Sequence, residues 1–219
     1  MAWVDPSTVA TGDVLTAATW NQAVVANTLA GLPSFTTEAA RDAVITSPAE
    51  GMMCYLTAPT IPAATGVTTN VPSGVRTVYN GSVWVCVTPI GSSSATQGTT
   101  NSTSYVTTLT SDGTAMSVTL VTGTTALVTM FWRGYADAIN RNQNYAVSVS
   151  GASTIAASDA QSLLNQVPNV AGTNTEQCLE RTFFMTGLTA GTNTFTLNYK
   201  TNAGTITCVL RDLIVQGVA

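Results

Sequence analysis

The polar and aromatic residues of segment 132–144 are the side chains of this chain best suited to hold a ligand. A saccharide site combines an aromatic ring with planar amide and guanidinium groups that donate hydrogen bonds. The segment supplies all three types in Tyr135, Asn140, Arg141 and Asn142. These four residues are therefore our candidate contact for a glycan or a receptor. A simpler interpretation stays open, in which the segment is a hairpin loop with Trp132 in the core and Arg141 in a salt bridge between subunits.

Residues for the common catalytic mechanisms are scarce. The chain has no histidine, so it lacks a Ser-His-Asp or Cys-His nucleophile system and any imidazole metal ligand. Two carboxylate pairs are available for glycan hydrolysis, Asp137 with Asp159 and Glu176 with Glu180. If Glu176 and Glu180 share a strand, they point to one face about 13 Å apart, farther than glycosidases use. We therefore predict no catalytic residues, no metal site, no cofactor and no enzymatic activity.

The composition limits the partners of the chain. Only 8% of the residues are charged, 45% are apolar and the net charge is −4. A chain with one lysine, Lys200, offers little to a nucleic-acid backbone, and disordered chains are poorer in apolar residues. Its beginning has no signal-peptide pattern, and no apolar run approaches about 18 residues. We expect a folded, soluble protein made in a cytosol, with no nucleic-acid partner and no membrane insertion.

Four cysteines, Cys54, Cys86, Cys178 and Cys208, show no C-x-x-C spacing. In a cytosolic chain we expect them to be free thiols that pack as small, half-buried apolar side chains. The alternative is two disulfides, one joining Cys54 to Cys86 and one joining Cys178 to Cys208.

Residues 1–35 form a first region with a short predicted helix. Thr16 can cap this helix, and its apolar residues follow helical spacing up to Gly31 and Pro33, which end it. A helix of about 15 residues is marginally stable alone in water, so the face around Trp20 must pack against something. That partner is either the rest of the chain or another protein. Our candidate contacts for attachment or for a trimer are Trp3, Trp20, Val24 and Leu29.

Residues 36–90 are predicted to form a small β-hairpin module. A short helix is expected at 37–44, where Glu38 suits the first turn, and a strand at 52–57. Segment 58–74 contains three prolines and cannot be a central strand. Between two β-type runs, Asn80-Gly81 predicts a hairpin with a type I′ turn. Residues 91–104, rich in serine and threonine, are predicted to be a linker that is flexible or extended along a neighbour.

Residues 105–219 alternate between apolar and polar side chains, the pattern of strands with one buried face. The alternation is clearest at Met116, Val118, Leu120, Tyr145, Val147, Val149, Phe195, Leu197, Tyr199, Ile206, Cys208 and Leu210. Segment 126–132 is apolar at both parities, so we expect an additional layer on it, such as another subunit. Its Val128, Met130 and Trp132 are the candidate subunit interface of this head. The fold class is therefore mainly β: a C-terminal antiparallel β-sandwich (jelly roll), preceded by the hairpin module and the N-terminal helix.

Three stretches of the chain resemble structural proteins of bacteriophage virions. Residues 3–27, with the phrase TGDVLTAATWN, are similar to the opening of tail-fibre and minor structural proteins. Residues 37–55 followed by VYNGSVWV at 78–85 resemble a hairpin module of the same proteins, although segment 58–74 is longer than their usual link. Residues 186–200 and 213–216 are similar to the jelly-roll heads of phage fibres, which resemble trimers of the tumour necrosis factor type.

The resemblance implies a virion surface protein made in the host cytoplasm. It would be a homotrimeric fibre, spike or decoration protein on a capsid or a tail, fixed to other virion proteins by residues 1–35. Its head would face outward, where it can contact a host-surface glycan. Threefold symmetry would also cover both the helix around Trp20 and segment 126–132. The alternative function is a stand-alone carbohydrate-binding module or a lectin-like receptor-binding domain.

Overall fold

A computed structural model describes residues 32–138, 140–166 and 176–219. The helix predicted within residues 1–35, with Trp3, Trp20, Val24 and Leu29, lies outside these residues. Within them there is one α-helix, α1 (Glu38–Val44). The strands are β1 (Ser34–Phe35), β2 (Met53–Leu56), β3 (Ala63–Thr65), β4 (Thr68–Asn70), β5 (Val75–Tyr79), β6 (Trp84–Cys86), β7 (Ile90–Ser94), β8 (Gly98–Thr100), β9 (Ser117–Thr122), β10 (Thr125–Ala136), β11 (Asn142–Gly151), β12 (Leu163–Gln166), β13 (Gln177–Thr186), β14 (Gly191–Thr201) and β15 (Ile206–Val218).

The main body is a β-sandwich of two packed sheets. One sheet has the strand order β13-β10-β15-β7-β4, with β8 also paired to β15, and the other has the order β12-β11-β14-β9-β3. From β9 to β15 each successive strand crosses to the other sheet, except from β11 to β12. This winding is that of a jelly roll, so the predicted mainly β fold with a C-terminal sandwich is confirmed. No helix in the described ranges is long and apolar enough to cross a membrane.

The inward side chains of the two sheets form the core that their alternation predicts. Val118 and Leu120 on β9, Val147 on β11 and Phe195 on β14 are at most 3% exposed, as is Met116 just before β9. Each sheet therefore buries one side of its strands against the other sheet. At about 25 cal/mol per Å², this apolar burial is the main stabilising contribution to the fold.

The predicted subunit interface on strand β10 is wrong. Its burial alternates strictly, so Val128, Met130 and Trp132 point inward and are at most 1% exposed. They pack in the core of their own chain and cannot contact another copy. The outward residues Leu127 and Phe131 are only half-buried. Segment 126–132 is thus fully buried on one face. Any subunit contact on this strand must be made by the side chains that point outward, such as Leu127 and Phe131.

A β-bulge in β15 changes which residues point inward. Arg133 of β10 pairs with Leu210, and Gly134 pairs with Cys208, so Val209 is an extra residue. Ile206 and Cys208 are buried as predicted, but Leu210 is half-exposed because the extra residue shifts the alternation. The same shift turns the next residue, Arg211, into the core, where it is 0% exposed.

Arg211 is held in the core by a loop that runs from one sheet to the other. Its Nη2 atom donates hydrogen bonds to the Ser94 hydroxyl at 2.7 Å and to the Asp112 carboxylate, whose side chain is 3% exposed. Burial lowers the pKa of Arg211 to about 10. Since an unpaired charge in this place would be costly, Asp112 is the contact that makes Arg211 acceptable there.

Segment 91–104 was predicted to be a linker that is flexible or extended along a neighbour, and strands β7 and β8 show the extended form. Strands β7 and β8 pair with β15, so most of this segment belongs to the larger sheet. Its small side chains allow close packing: a Cβ atom on Gly98 would lie 2.7 Å from the Cβ of Leu109. A serine- and threonine-rich composition therefore describes both a linker and a closely packed edge of a sheet.

The N-terminal sheet has the order β1-β2-β5-β6 and carries the predicted helix and hairpin. Helix α1 begins after Thr37, whose hydroxyl accepts a hydrogen bond from the Ala40 amide at 3.2 Å. The β5–β6 hairpin is present, but the predicted type I′ turn is wrong because only Gly81 has a positive φ, of 87°. Asn80 acts through its side chain, which accepts hydrogen bonds from the amides of Ser82 and Val83.

The proline-rich segment ties this sheet to the sandwich. Strands β3 and β4 form the outermost strands of the two sandwich sheets, where the missing amide of proline is tolerated. The carboxylate of Glu38 on α1 accepts hydrogen bonds from the amides of Thr60 and Ile61 at 2.9–3.1 Å. A single helix residue therefore anchors the start of the segment.

All four cysteines are free thiols, and three of them are buried. Thr77 pairs with both Cys54 and Cys86, which places these cysteines two strands apart, about 10 Å and beyond disulfide reach. Cys178 is exposed on β13, whereas Cys208 is buried on β15. Burial raises the pKa of Cys208 to about 12, so its thiol stays protonated.

Candidate functional site

The outward face of the smaller sandwich sheet carries a row of polar side chains. Asn144 on β11 pairs directly with Lys200 on β14 and with Leu164 on β12. One pair further along the strands, Asn142 lies on the same face, because side chains two residues apart point the same way. The alternation that buries Tyr145 and Tyr199 thus lines up amide and ammonium groups outside.

A segment that we call the strap, residues 152–162, folds back over this face. It pairs with the sheet through Ile155 and Val149, and it ends in a short 3-10 turn, Asp159–Gln161. The Asp159 carboxylate lies 2.7 Å from Lys200 Nζ and accepts a hydrogen bond from the Tyr105 hydroxyl at 2.8 Å. The ammonium also lies 4.8 Å above the centre of the Tyr105 ring, a cation–π distance.

These contacts set the charge state of the site. The hydrogen bonds from Lys200 and then Tyr105 hold the pKa of Asp159 below its ordinary value. Burial, and next the contact with Asp159, raises the pKa of Tyr105. At neutral pH the site therefore holds one carboxylate, one ammonium and a neutral phenol, and its net charge is zero.

Between the strap and the sheet lies a polar pocket of about 300 Å³. It is lined by Thr103, Asn142, Asn144, Asp159, Ser162, Leu164, Lys200, Thr201 and Asn202. The Asn202 side chain accepts a hydrogen bond from the Asn142 amide at 2.8 Å and donates one to the Asn140 carbonyl at 3.2 Å. The buried Oδ1 atom of Asn142 has no partner among the described residues. A pocket of this size and polarity suits one small polar ligand.

The structure brings only part of the predicted glycan contact to this pocket. Asn142 lines the pocket, and the backbone carbonyl of Asn140 accepts a hydrogen bond from Asn202, another lining residue. Arg141 lies 3.4 Å from Asp137 of the same chain, so its salt bridge lies within one subunit. Tyr135 lies on β10 of the other sheet, where its hydroxyl accepts a hydrogen bond from Gln97 at 3.2 Å. Trp132 is in the core, as the simpler interpretation has it.

The remaining pocket residues were missed by sequence reasoning. Asn144, Asp159, Lys200 and Asn202 come from three separate segments, and only strand register brings them together. A signal for some of them was present: Asn142 and Asn144, like Lys200 and Asn202, occupy alternate positions opposite the apolar side of predicted strands. Two polar residues at that spacing share one face of a sheet.

The outward face of the larger sheet is different, and we call four of its residues the apolar face: Leu127, Phe131, Phe184 and Ile214. Phe184 is 64% and Ile214 42% exposed, while Leu127 and Phe131 are half-buried. Leu127 pairs with Phe184, Ile214 pairs with Thr129, and Phe131 pairs with Glu180 and Asp212, so the four apolar side chains share one face with threonine and acidic side chains between them. Exposed large apolar side chains grouped on one face are typical of surfaces that contact other proteins.

A hollow of about 240 Å³ adjoins the apolar face, lined in part by Gly91, Asp212 and Ile214. Asp212 pairs with Phe131 across the sheet. Burial raises the pKa of Asp212, and its carboxylate has no ion-pair partner within the described ranges. The apolar face therefore has a partly buried acid, Asp212, beside Phe131.

Three of the four carboxylates considered for catalysis are engaged in ion pairs. Glu176 lies 3.7 Å from Arg133, Asp137 pairs with Arg141, and Asp159 pairs with Lys200. In the part of the chain that the structure describes, no three Cys, Asp or Glu side chains gather as metal ligands.

No protein-family model matches the chain, and no curated protein sequence is similar to it. Three solved structures illustrate its structural neighbours. The tumour necrosis factor Eiger from S. frugiperda matches with TM-score 0.39 and 11% identity, over 57% of this chain and 87% of that one. The infectious bursal disease virus Gx strain structure matches with TM-score 0.39 and 11% identity, over 65% and 41%. The carbohydrate-binding module CBM6cm-2 of Cellvibrio mixtus lichenase 5A, in complex with cellotriose, matches with TM-score 0.27 and 12% identity, over 61% and 98%. Nothing about activity follows from likenesses this distant, and the fold class rests on the strand pairing described above.

Proposed function

We propose that this chain is a structural component of a bacteriophage virion: a trimeric fibre, spike or decoration protein on the capsid or the tail. Residues 1–35 attach it to other virion proteins, and the sandwich is the outward head. It is made in the host cytoplasm, resides on the virion surface and is not an enzyme. The three sequence resemblances, in the order attachment segment, hairpin module and head, support this assignment.

The observation that carries the trimer is the apolar face. Phe184 and Ile214 are 64% and 42% exposed in a chain of which only 8% is charged. Leaving such a patch in water costs free energy that a second copy removes by covering it. A closed ring of three copies covers the patch on every copy and leaves none for further growth.

Sedimentation velocity of the full chain at micromolar concentration tests the trimer. We expect one species with a mass near three times 22.6 kDa. A stable species of one copy at that concentration would overturn the proposed assembly.

Electron microscopy of particles labelled with gold-coupled antibodies tests the virion location. We expect label on purified particles of the phage that encodes the chain. A chain without residues 1–35 should still form its head but should be absent from particles. Incorporation of the shortened chain would show that the attachment assignment is wrong.

A second candidate function is carbohydrate binding without a virion, as a module or a lectin-like receptor-binding domain. The polar pocket favours it, because amide and charged groups converge on a space the size of a small ligand. A glycan array tests this function. We expect a head that recognises a host glycan to give discrete positive sugars, whereas a pure decoration protein gives background alone.

A further inference from the structure

We propose that the polar pocket binds a neutral saccharide, whose adjacent hydroxyls donate to Asp159 and accept from Lys200 and the Asn144 amide. This inference rests on the second candidate function, carbohydrate binding, and it names the class of sugar. It does not depend on the trimer, because every residue of the pocket belongs to one chain.

The unused hydrogen-bonding capacity of the pocket fits hydroxyl groups. Asp159 Oδ1 accepts a hydrogen bond from Tyr105 and lies 2.7 Å from Lys200 Nζ, whereas Oδ2 accepts one from Lys200 alone among the described residues. A carboxylate oxygen can accept about two hydrogen bonds, so Oδ2 can accept one more. The Lys200 ammonium has three donors, and among the residues that the structure describes its polar partner is Asp159. A hydroxyl both donates and accepts, so two neighbouring hydroxyls can bridge the acid and the base at once.

The charge of the pocket selects against ionised sugars. Asp159 and Lys200 lie 2.7 Å apart and cancel each other. A uronic acid would bring its carboxylate beside Asp159, and an amino sugar would bring its ammonium beside Lys200. Either ligand would face a like charge at close range, whereas a neutral ring meets none.

Two further features suit a sugar ring. Leu164 is 54% exposed at the edge of the pocket, where its methyl groups can pack against the C–H face of a ring. The pairing of β11 with β14 and the strap contacts hold these groups in place before a ligand arrives.

The single lysine of the chain provides a direct readout. An amine-acetylating reagent can modify only Lys200 and the amino terminus, and peptide mass spectrometry measures both rates in one sample. Probes are glucose, galactose, mannose and their disaccharides, compared with glucuronate and galacturonate at equal concentration. We expect at least one neutral probe at saturation to slow acetylation of Lys200 about tenfold, with the amino terminus as internal control and no protection by the uronates.

Variants assign the protection to the pocket. Asp159→Asn removes the charge from a largely exposed side chain and should weaken the neutral sugar about tenfold, measured by calorimetry, since one charge-assisted hydrogen bond is lost. It should also lessen the discrimination against uronates. Leu164→Ala should weaken the sugar as well without changing that discrimination. Asn101→Ala, an exposed asparagine outside the pocket, is the matched control and should bind normally.

The outcomes separate this inference from the function on which it rests. Equal or better protection by uronates would overturn the neutral ligand while leaving carbohydrate binding intact. Neutral-sugar binding that is unchanged in Asp159→Asn would place the site elsewhere and overturn the inference too. An absence of protection by every probe, together with a blank glycan array, would overturn both.

Discussion

The two outward faces of the sandwich are built by the same strand alternation and present opposite chemistry. On the larger sheet, the positions opposite the core include the four residues of the apolar face, Leu127, Phe131, Phe184 and Ile214, among threonine and acidic side chains. On the smaller sheet, the equivalent positions hold Asn142, Asn144 and Lys200, and the strap adds Asp159. The face of the larger sheet exposes apolar side chains that another protein could bury. The face of the smaller sheet has polar groups that line a small pocket.

The proposed assembly and the proposed ligand binding use different faces of the head and would not compete. The two sheets pack through their inward faces, so their outward faces point in opposite directions. Covering the apolar face with a second copy leaves the polar pocket open. A trimer built in this way displays three pockets around its outside, which suits binding to a surface with many identical sugars.

The largest effect we predict comes from the core that supports both faces. Asp112→Ala leaves Arg211 charged and unpaired at 0% exposure. We expect the free energy of unfolding, measured with urea, to fall by about 3–5 kcal/mol, the usual result of breaking a buried ion pair. Both faces should lose function together, because β15 and the loop that carries Asp112 connect the two sheets.

The double variant Asp112→Ala with Arg211→Met separates the charge from the packing. Because an apolar side chain then replaces the buried ion pair, most of the lost stability should return. A loss below about 1 kcal/mol in the single variant would mean that water reaches Arg211.

Replacing one exposed apolar side chain by serine on each face tests whether the two faces differ in their role in assembly. Phe184→Ser on the apolar face should raise the dissociation constant of the trimer at least about 30-fold, since an exposed aromatic at an interface contributes about 2 kcal/mol. Leu164→Ser on the polar face is the matched control, because Leu164 is 54% exposed. Sedimentation velocity at several concentrations measures both variants.

The thermal stability of each single chain should change little, since both side chains are exposed. If Leu164→Ser dissociated the trimer as strongly as Phe184→Ser, the assembly face would be assigned to the wrong sheet.

Strand periodicity predicts much of this fold because it depends on near neighbours. The alternation around Val118, Val147 and Phe195 shows which side of each strand is buried. The bulge at Val209 is different, because it exists only relative to β10, and it reverses the positions of Leu210 and Arg211. The pairing of Arg211 with Asp112, 99 residues away, follows from that reversal.

The candidate site was predicted less well for a related reason. Asn142 could be named from its own loop, where amide and guanidinium groups cluster. Asp159 and Lys200 lie 41 residues apart and meet because the strap folds over the β14 strand. The choice of Val128, Met130 and Trp132 for an interface had another cause. When a strand is apolar on both faces, its sequence does not show which face packs against the other sheet of the same chain.

A substitution outside both faces should have a smaller effect and should leave both faces working. Glu38→Gln on α1 weakens the contacts with Thr60 and Ile61. We expect a loss of about 1 kcal/mol at neutral pH by urea denaturation, a modest value because Glu38 is only half-buried. Trimer mass and sugar binding should stay unchanged.

The pH dependence of this loss checks its cause. Burial alone would raise the pKa of Glu38, but the hydrogen bonds from Thr60 and Ile61 outweigh it and lower the pKa. The stabilisation is therefore complete above the ordinary pKa and disappears as the pH falls through the lowered one. Glu38→Gln should then match the unsubstituted chain in strong acid. An equal loss at every pH would point to the helix terminus instead of the carboxylate.

The smallest predicted effect separates the two faces by their response to mild acid. Burial raises the pKa of Asp212 beside Phe131, so a proton binds there in milder acid than at an ordinary aspartate and removes a partly buried charge from the apolar face. The trimer should therefore tighten as the pH falls below neutral. The pKa of Asp159 is lowered by Lys200, so sugar binding should stay constant over the same range. Asp212→Asn should abolish the first response, and a trimer that weakened in acid would show that Asp212 lies outside the contact.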